Sequence, residues 1–83
     1  MQRTFKVQGG MECMVGWDEP IQTFFGQVYA VNDEGERIED STSLWVGTRI
    51  REILTVDTLV ALLKPQVTIP DEIYRELFAI EVD

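Results

Sequence analysis

Apolar and polar residues alternate through the first part of the chain, and the period changes after Arg49. Thr4 to Val7 alternates, Gln8-Gly9-Gly10 interrupts, and Met11, Cys13, Val15 and Trp17 then recur at every second position. Period-two alternation marks a strand with one buried face, so this stretch predicts a first hairpin. Gly16-Trp17-Asp18-Glu19-Pro20 breaks the pattern, since proline can start a strand but not sit inside a paired one. Ile21 to Val31 predicts a third strand, the longest and most apolar. It ends in Asn32-Asp33-Glu34-Gly35, where Asn32 and Gly35 are expected to supply the positive φ of a tight turn. A return strand is expected in two pieces, Arg37 to Glu39 and Leu44 to Thr48, with Asp40-Ser41-Thr42-Ser43 as a bulge or loop between them.

Beyond Arg49 the spacing becomes helical. Val56, Leu59, Val60 and Leu63 lie at i, i+3, i+4 and i+7, with Thr55 as the expected N-cap and Asp57 near the positive end of the dipole. Lys64-Pro65 stops this helix, because a residue before proline is pushed out of the helical region. Pro70 opens a second helix at a position where its missing amide costs nothing, with Asp71 and Glu72 in the first turn and Ile73, Tyr74, Leu77, Phe78 and Ile80 as its apolar residues. The expectation is an α+β fold in a single domain over residues 1–83, an antiparallel sheet of about four strands followed by two short helices.

The third strand is apolar on both sides. Ile21, Thr23, Phe25, Gln27, Tyr29 and Val31 share one face, and Gln22, Phe24, Gly26, Val28 and Ala30 share the other. Two short helices cover one side of a small sheet. The other side is therefore expected to carry an aromatic patch at Phe25, Tyr29 or Trp45 that is exposed or met by a partner, a homodimer being one form of this. Curling of the sheet and covering loops would instead close both faces.

Charge sharpens the picture. Fifteen acids face seven bases, for a net of −8. Residues 33–40 hold five acids against one base, and residues 71–83 again hold five against one, so these two segments carry the whole imbalance. The first comprises Asp33, Glu34, Glu36, Glu39 and Asp40; the second includes Asp71, Glu72 and Glu76. Solvation of a turn and of a helix face accounts for such runs in many proteins. Direct binding of nucleic acid is not expected, because phosphate neutralisation needs clustered lysine and arginine. Anionic membranes are disfavoured on the same ground. The opening residues lack an apolar signal region, and one cysteine forms no disulfide framework, so a cytoplasmic protein is expected.

The residue inventory excludes much catalysis. With no histidine and one cysteine, Ser-His and Cys-His arrangements and Cys/His zinc sites lack their base or ligands. Cys13 sits among strand residues and reads as a small buried hydrophobe. The glycines match neither the phosphate-loop nor the dinucleotide spacing, and Asn32-Asp33-Glu34-Gly35-Glu36 lacks the ligand alternation of a calcium loop. No enzyme activity, cofactor or metal is expected.

Gly16-Trp17-Asp18-Glu19-Pro20 reads as a corner in which Gly16 permits a bend, Trp17 caps the core and Asp18 bonds a nearby amide. The pattern Gly16-Trp17-Asp18-x-Pro20-x-Gln22-x-Phe24-Phe25-x-x-Val28, with Arg3-Thr4-Phe5-Lys6-Val7-x-Gly9 before it and Leu44-Trp45-Val46-Gly47-Thr48 after it, resembles a family of small uncharacterised bacterial proteins. The resemblance spans about two thirds of the chain and implies a bacterial or mobile-element origin without implying an activity. In size and acidity the chain is also similar to anti-CRISPR proteins and DNA mimics.

The functional expectation is an acidic, non-enzymatic inhibitor that occupies a basic nucleic-acid-binding surface of a protein effector. Its recognition residues would be Asp33, Glu34, Glu36, Glu39, Asp40, Asp71, Glu72 and Glu76. The alternative is an accessory or structural interaction module that uses Phe25, Tyr29 and Trp45.

Overall fold

The computed structural model describes residues 1–83. Four strands, β1 (Gln2–Val7), β2 (Met11–Asp18), β3 (Thr23–Ala30) and β4 (Leu44–Val46), form one antiparallel sheet in the order β1-β2-β3-β4, and two helices follow, α1 (Val56–Leu63) and α2 (Asp71–Glu81). This is the α+β architecture that the periodicities predict.

The register sorts the side chains. Cys13 lies opposite Val28, Val15 opposite Gly26 and Trp17 opposite Phe24, while Phe5 of β1 lies opposite Cys13. These residues turn towards the helices. The core there joins Cys13, Val15, Phe24 and Val28 of the sheet to Val56, Leu59 and Leu63 of α1, Leu77 of α2, and Ile53, Val67 and Ile69 of the connecting segments. Trp17 packs its ring edge-on to Phe24 with centroids 4.8 Å apart and caps the core as expected, but Gly16 makes no bend: β2 runs through it to Asp18, with Gly16 paired to Phe25. Asp18 does not take the amide-bonding role expected of it. Its carboxylate makes no hydrogen bond, and Glu19 instead accepts from the Trp17 indole at 2.6 Å.

The segment before α1 is stitched to the start of β3. The Thr23 hydroxyl accepts from the Ile53 amide at 2.8 Å, and the Phe24 amide donates to the Ile53 carbonyl at 2.9 Å. Thr23 is thereby buried with its polar atoms satisfied. Thr55 then caps α1, its hydroxyl accepting from the Thr58 amide at 3.2 Å. A Thr55→Ala variant is expected to lose about 1 kcal/mol, read as a lower urea midpoint with an unchanged slope. A second free amide of that turn, on Val56, donates to Glu81 Oε1 at 2.7 Å, so the end of α2 helps to cap α1. Pro70 occupies the N-cap of α2 and the helix begins at Asp71, one residue later than expected.

The return strand differs most from expectation. Residues 37–39 form no strand; a single bridge joins Val31 to Arg37. The Ser41 hydroxyl takes the place of a strand partner, accepting from the Ala30 amide at 3.0 Å, and Asp40 turns the chain at φ 57°. Asn32 does not adopt positive φ. It shapes the turn through its side chain, whose Oδ1 accepts from the amides of Glu34 and Glu36, both at 2.9 Å, leaving the positive φ to Gly35. β3 starts at Thr23 because Gln22 takes φ 49° in the preceding turn. β4 stops at Val46 because Gly47 takes φ 81°, where any Cβ would lie 2.1 Å from the Phe24 carbonyl oxygen.

Candidate functional site

The sheet face turned away from the helices presents Glu12, Met14, Gly16 and Asp18 from β2, Phe25, Gln27 and Tyr29 from β3, and Trp45 from β4. Its two halves are finished differently.

In the first half the segment after β3 folds back over the sheet. The Arg37 guanidinium sits 4.3 Å from the Tyr29 ring centroid, donates to Gln27 Oε1 at 3.3 Å and to Thr42 Oγ1 at 2.8 Å. Beneath it the Tyr29 phenol donates to Glu12 Oε1 at 2.7 Å. Burial, then the Glu12 carboxylate, push that phenol up to about 12, so it stays a donor at any physiological pH. Tyr29 is only 5% exposed, which corrects its expected place in an open aromatic patch. A cationic side chain of the same chain covers it.

The second half is open. Met14, Asp18, Ile21, Phe25, Gln27, Trp45, Gly47 and Thr48 line a groove of about 530 Å³. Trp45 forms one side and is 61% exposed. Phe25 lies against Gly16, where an added Cβ would come within 2.8 Å of the ring, so the glycine lets the phenyl settle close to the sheet. The turn beside the groove is braced from within. The Glu52 carboxylate accepts from the amides of Gly47, Thr48 and Arg49 at 3.0, 3.2 and 3.2 Å. Those amides, Gly47 first, hold the Glu52 carboxyl below its usual range. Asp18 at the groove edge is half-buried, and its carboxylate has neither a hydrogen-bond partner nor an ion pair in the chain.

The acids of residues 33–40 and the first acids of α2 lie towards one end of the sheet. The connection between the helices passes the end of β1, where Phe5, Lys6, Val7, Gln8, Gln66, Val67 and Thr68 line a smaller hollow of about 320 Å³. Gln66 also exchanges hydrogen bonds with Ser43, at 2.7 and 3.3 Å, so α2 starts at the end of the sheet from which the 31–43 segment emerges. Asp33, Glu34, Glu36, Glu39 and Asp40 are exposed there, as are Asp71 and Glu72. Glu36 also accepts from Asn32 Nδ2 at 3.2 Å. Glu76 stands apart, further along α2, where it accepts from Arg3 Nε at 2.8 and 3.2 Å in an exposed ion pair. Its charge is already matched.

Cys13 is fully buried, and burial pushes its thiol up to about 12, so it packs as a protonated apolar group. No three acidic or thiol side chains converge in a way that would hold a metal ion. No helix is long and apolar enough to cross a membrane. Among the groove residues, Met14, Asp18, Ile21 and Thr48 were not singled out by sequence reasoning as a binding surface. The alternation that places Trp17 towards the core also places Met14 and Asp18 on the opposite face, and that was the available signal. Set against protein-family profiles, curated proteins and solved structures, the chain matches none of them.

Proposed function

We propose that this protein is a non-enzymatic binding module that docks a basic protein partner on the open sheet face, with Trp45 as the anchor and the acidic 33–40 segment, beyond the other end of that face, as steering charge. The observation that carries this reading is Trp45 itself, 61% exposed beside a groove floored by Phe25 and Gln27. Tryptophan in a concave apolar site with polar surroundings has the character of an interface hot spot. A net charge of −8 steers basic partners in and repels nucleic acid and anionic membranes. The same charge opposes a homodimer, because each copy carries −8. Absent histidine and a protonated, buried Cys13 support a non-catalytic role, and a lone thiol suits a reducing cytoplasm.

A second reading has one specific observation in its favour. Seven acids at one end of the sheet, none in an ion pair, suit an inhibitor that occupies a nucleic-acid-binding channel, with Trp45 uninvolved. Parallel affinity capture from an extract of the source organism, with wild type and Trp45→Ser as baits, separates the two. The expected result is a basic protein retained by wild type and lost with the variant, whose stability changes by no more than about 0.5 kcal/mol. Equal retention by both baits would discard the Trp45 reading in favour of the acidic surface.

A further inference from the structure

We infer that the groove beside Trp45 is a seat for one arginine side chain of the docked partner, an assignment that rests on the open-face docking proposed above. The chain itself displays the chemistry one half-sheet away. Arg37 packs its guanidinium on an aromatic ring while donating to Gln27 and to a threonine hydroxyl. The groove repeats the ring and the hydroxyl without a resident cation. Trp45 supplies the ring and Thr48 the hydroxyl, while Gln27, whose Oε1 already accepts from Arg37, forms the shared wall between the two halves. Asp18 adds a carboxylate that nothing in the chain pairs.

The composition of the groove selects its occupant. A wholly apolar side chain seated there would strip water from Asp18 without replacing its hydrogen bonds. A phosphate or carboxylate would meet a carboxylate and no lining base. Arginine satisfies both kinds of wall, since its planar guanidinium stacks on an indole and forks onto a carboxylate, whereas lysine offers a more strongly hydrated point charge.

The test is an NMR titration of the full chain with a blocked, glycine-flanked arginine peptide, run beside its lysine and citrulline counterparts. Saturable shifts are expected at the Trp45 indole and at the Asp18 and Thr48 amides, with affinity in the millimolar range suited to one side chain. Citrulline keeps the shape and removes the charge, and is expected to bind at least about tenfold more weakly; lysine is expected to fall between the two. Asp18→Asn should weaken the arginine peptide about tenfold and leave the melting temperature unchanged. Equal binding of arginine and citrulline, or shifts confined to residues 33–40, would overturn the assignment. A mass that doubles with concentration and reverts in Asp18→Asn would also overturn it, by making a second copy the occupant. If the peptide fails while Trp45-dependent capture of a protein persists, the arginine seat alone is lost. Failure of both removes the docking reading as well.

Discussion

Replacing Phe24 with alanine is expected to destabilise the protein by about 3–5 kcal/mol, the cost of emptying a fully buried aromatic site that surrounding groups cannot fill. Phe24 is fully buried, meets Trp17 edge-on at 4.8 Å and belongs to the cluster shared by both layers. A chain of 83 residues has a total stability of about 4–12 kcal/mol on the usual per-residue scale, so the variant stands close to unfolding. The expected signature is a large drop in urea midpoint with loss of near-ultraviolet circular dichroism on modest warming. Its neighbour Phe25 points to the open face and is half-buried, so Phe25→Ala should cost less and act on binding. Equal destabilisation by the two substitutions would show that the open face is as much core as the helical one.

Reversing Asp33, Glu34 and Glu39 to lysine is expected to reduce affinity for the captured basic partner by tenfold or more at low salt and to flatten its salt dependence. Each reversal adds two charges, so three take the net from −8 to −2. Exposed charges are screened beyond about 8 Å at physiological salt, so the effect belongs mainly to the association rate and shrinks as ionic strength rises. Glu36 is left in place because it accepts from Asn32, and Asp40 because it holds φ 57°, a conformation that lysine adopts less readily. The three chosen side chains are exposed, and none accepts a hydrogen bond, so the fold should be retained by circular dichroism. Under the docking reading the triple variant keeps a weakened, Trp45-dependent and nearly salt-independent interaction. Complete loss together with full binding by Trp45→Ser would establish the acidic inhibitor instead.

The order and type of the main elements were legible because each rests on local physics. Alternation at period two locates β1 to β3, since neighbouring side chains on a strand must point to opposite sides whatever lies beyond them. Thr55 and Pro70 bound the helices because caps and proline act on backbone groups within one turn. Lys64 keeps helical angles (φ −52°, ψ −36°) before Pro65 instead of leaving the helical region as expected, and α1 ends where Pro65 has no amide to donate. Even the partition of β3 into two faces, Phe24, Gly26 and Val28 against Phe25, Gln27 and Tyr29, follows from the pattern alone.

What covers each face is a different matter, because the covering groups come from distant parts of the chain. Nothing local to Arg37 shows that it lies across Tyr29, or that Ser41 replaces a strand partner at Ala30. Residues 37–39 carry a short strand-like pattern, yet the Ile38 amide alone reaches β3, at the Ala30 carbonyl, and the Ser41 hydroxyl donates to the Ile38 carbonyl in place of a ladder bond. Folding of this segment over the sheet buries Tyr29 and leaves Trp45 exposed. The same holds for charge: the two acidic runs are plain in the sequence, but only packing pairs Glu76 with Arg3, turns Glu81 to cap α1, and leaves Asp18 unmatched at the groove. Periodicity determines which side chains share a surface; long-range packing decides whether that surface meets another part of the protein or remains free.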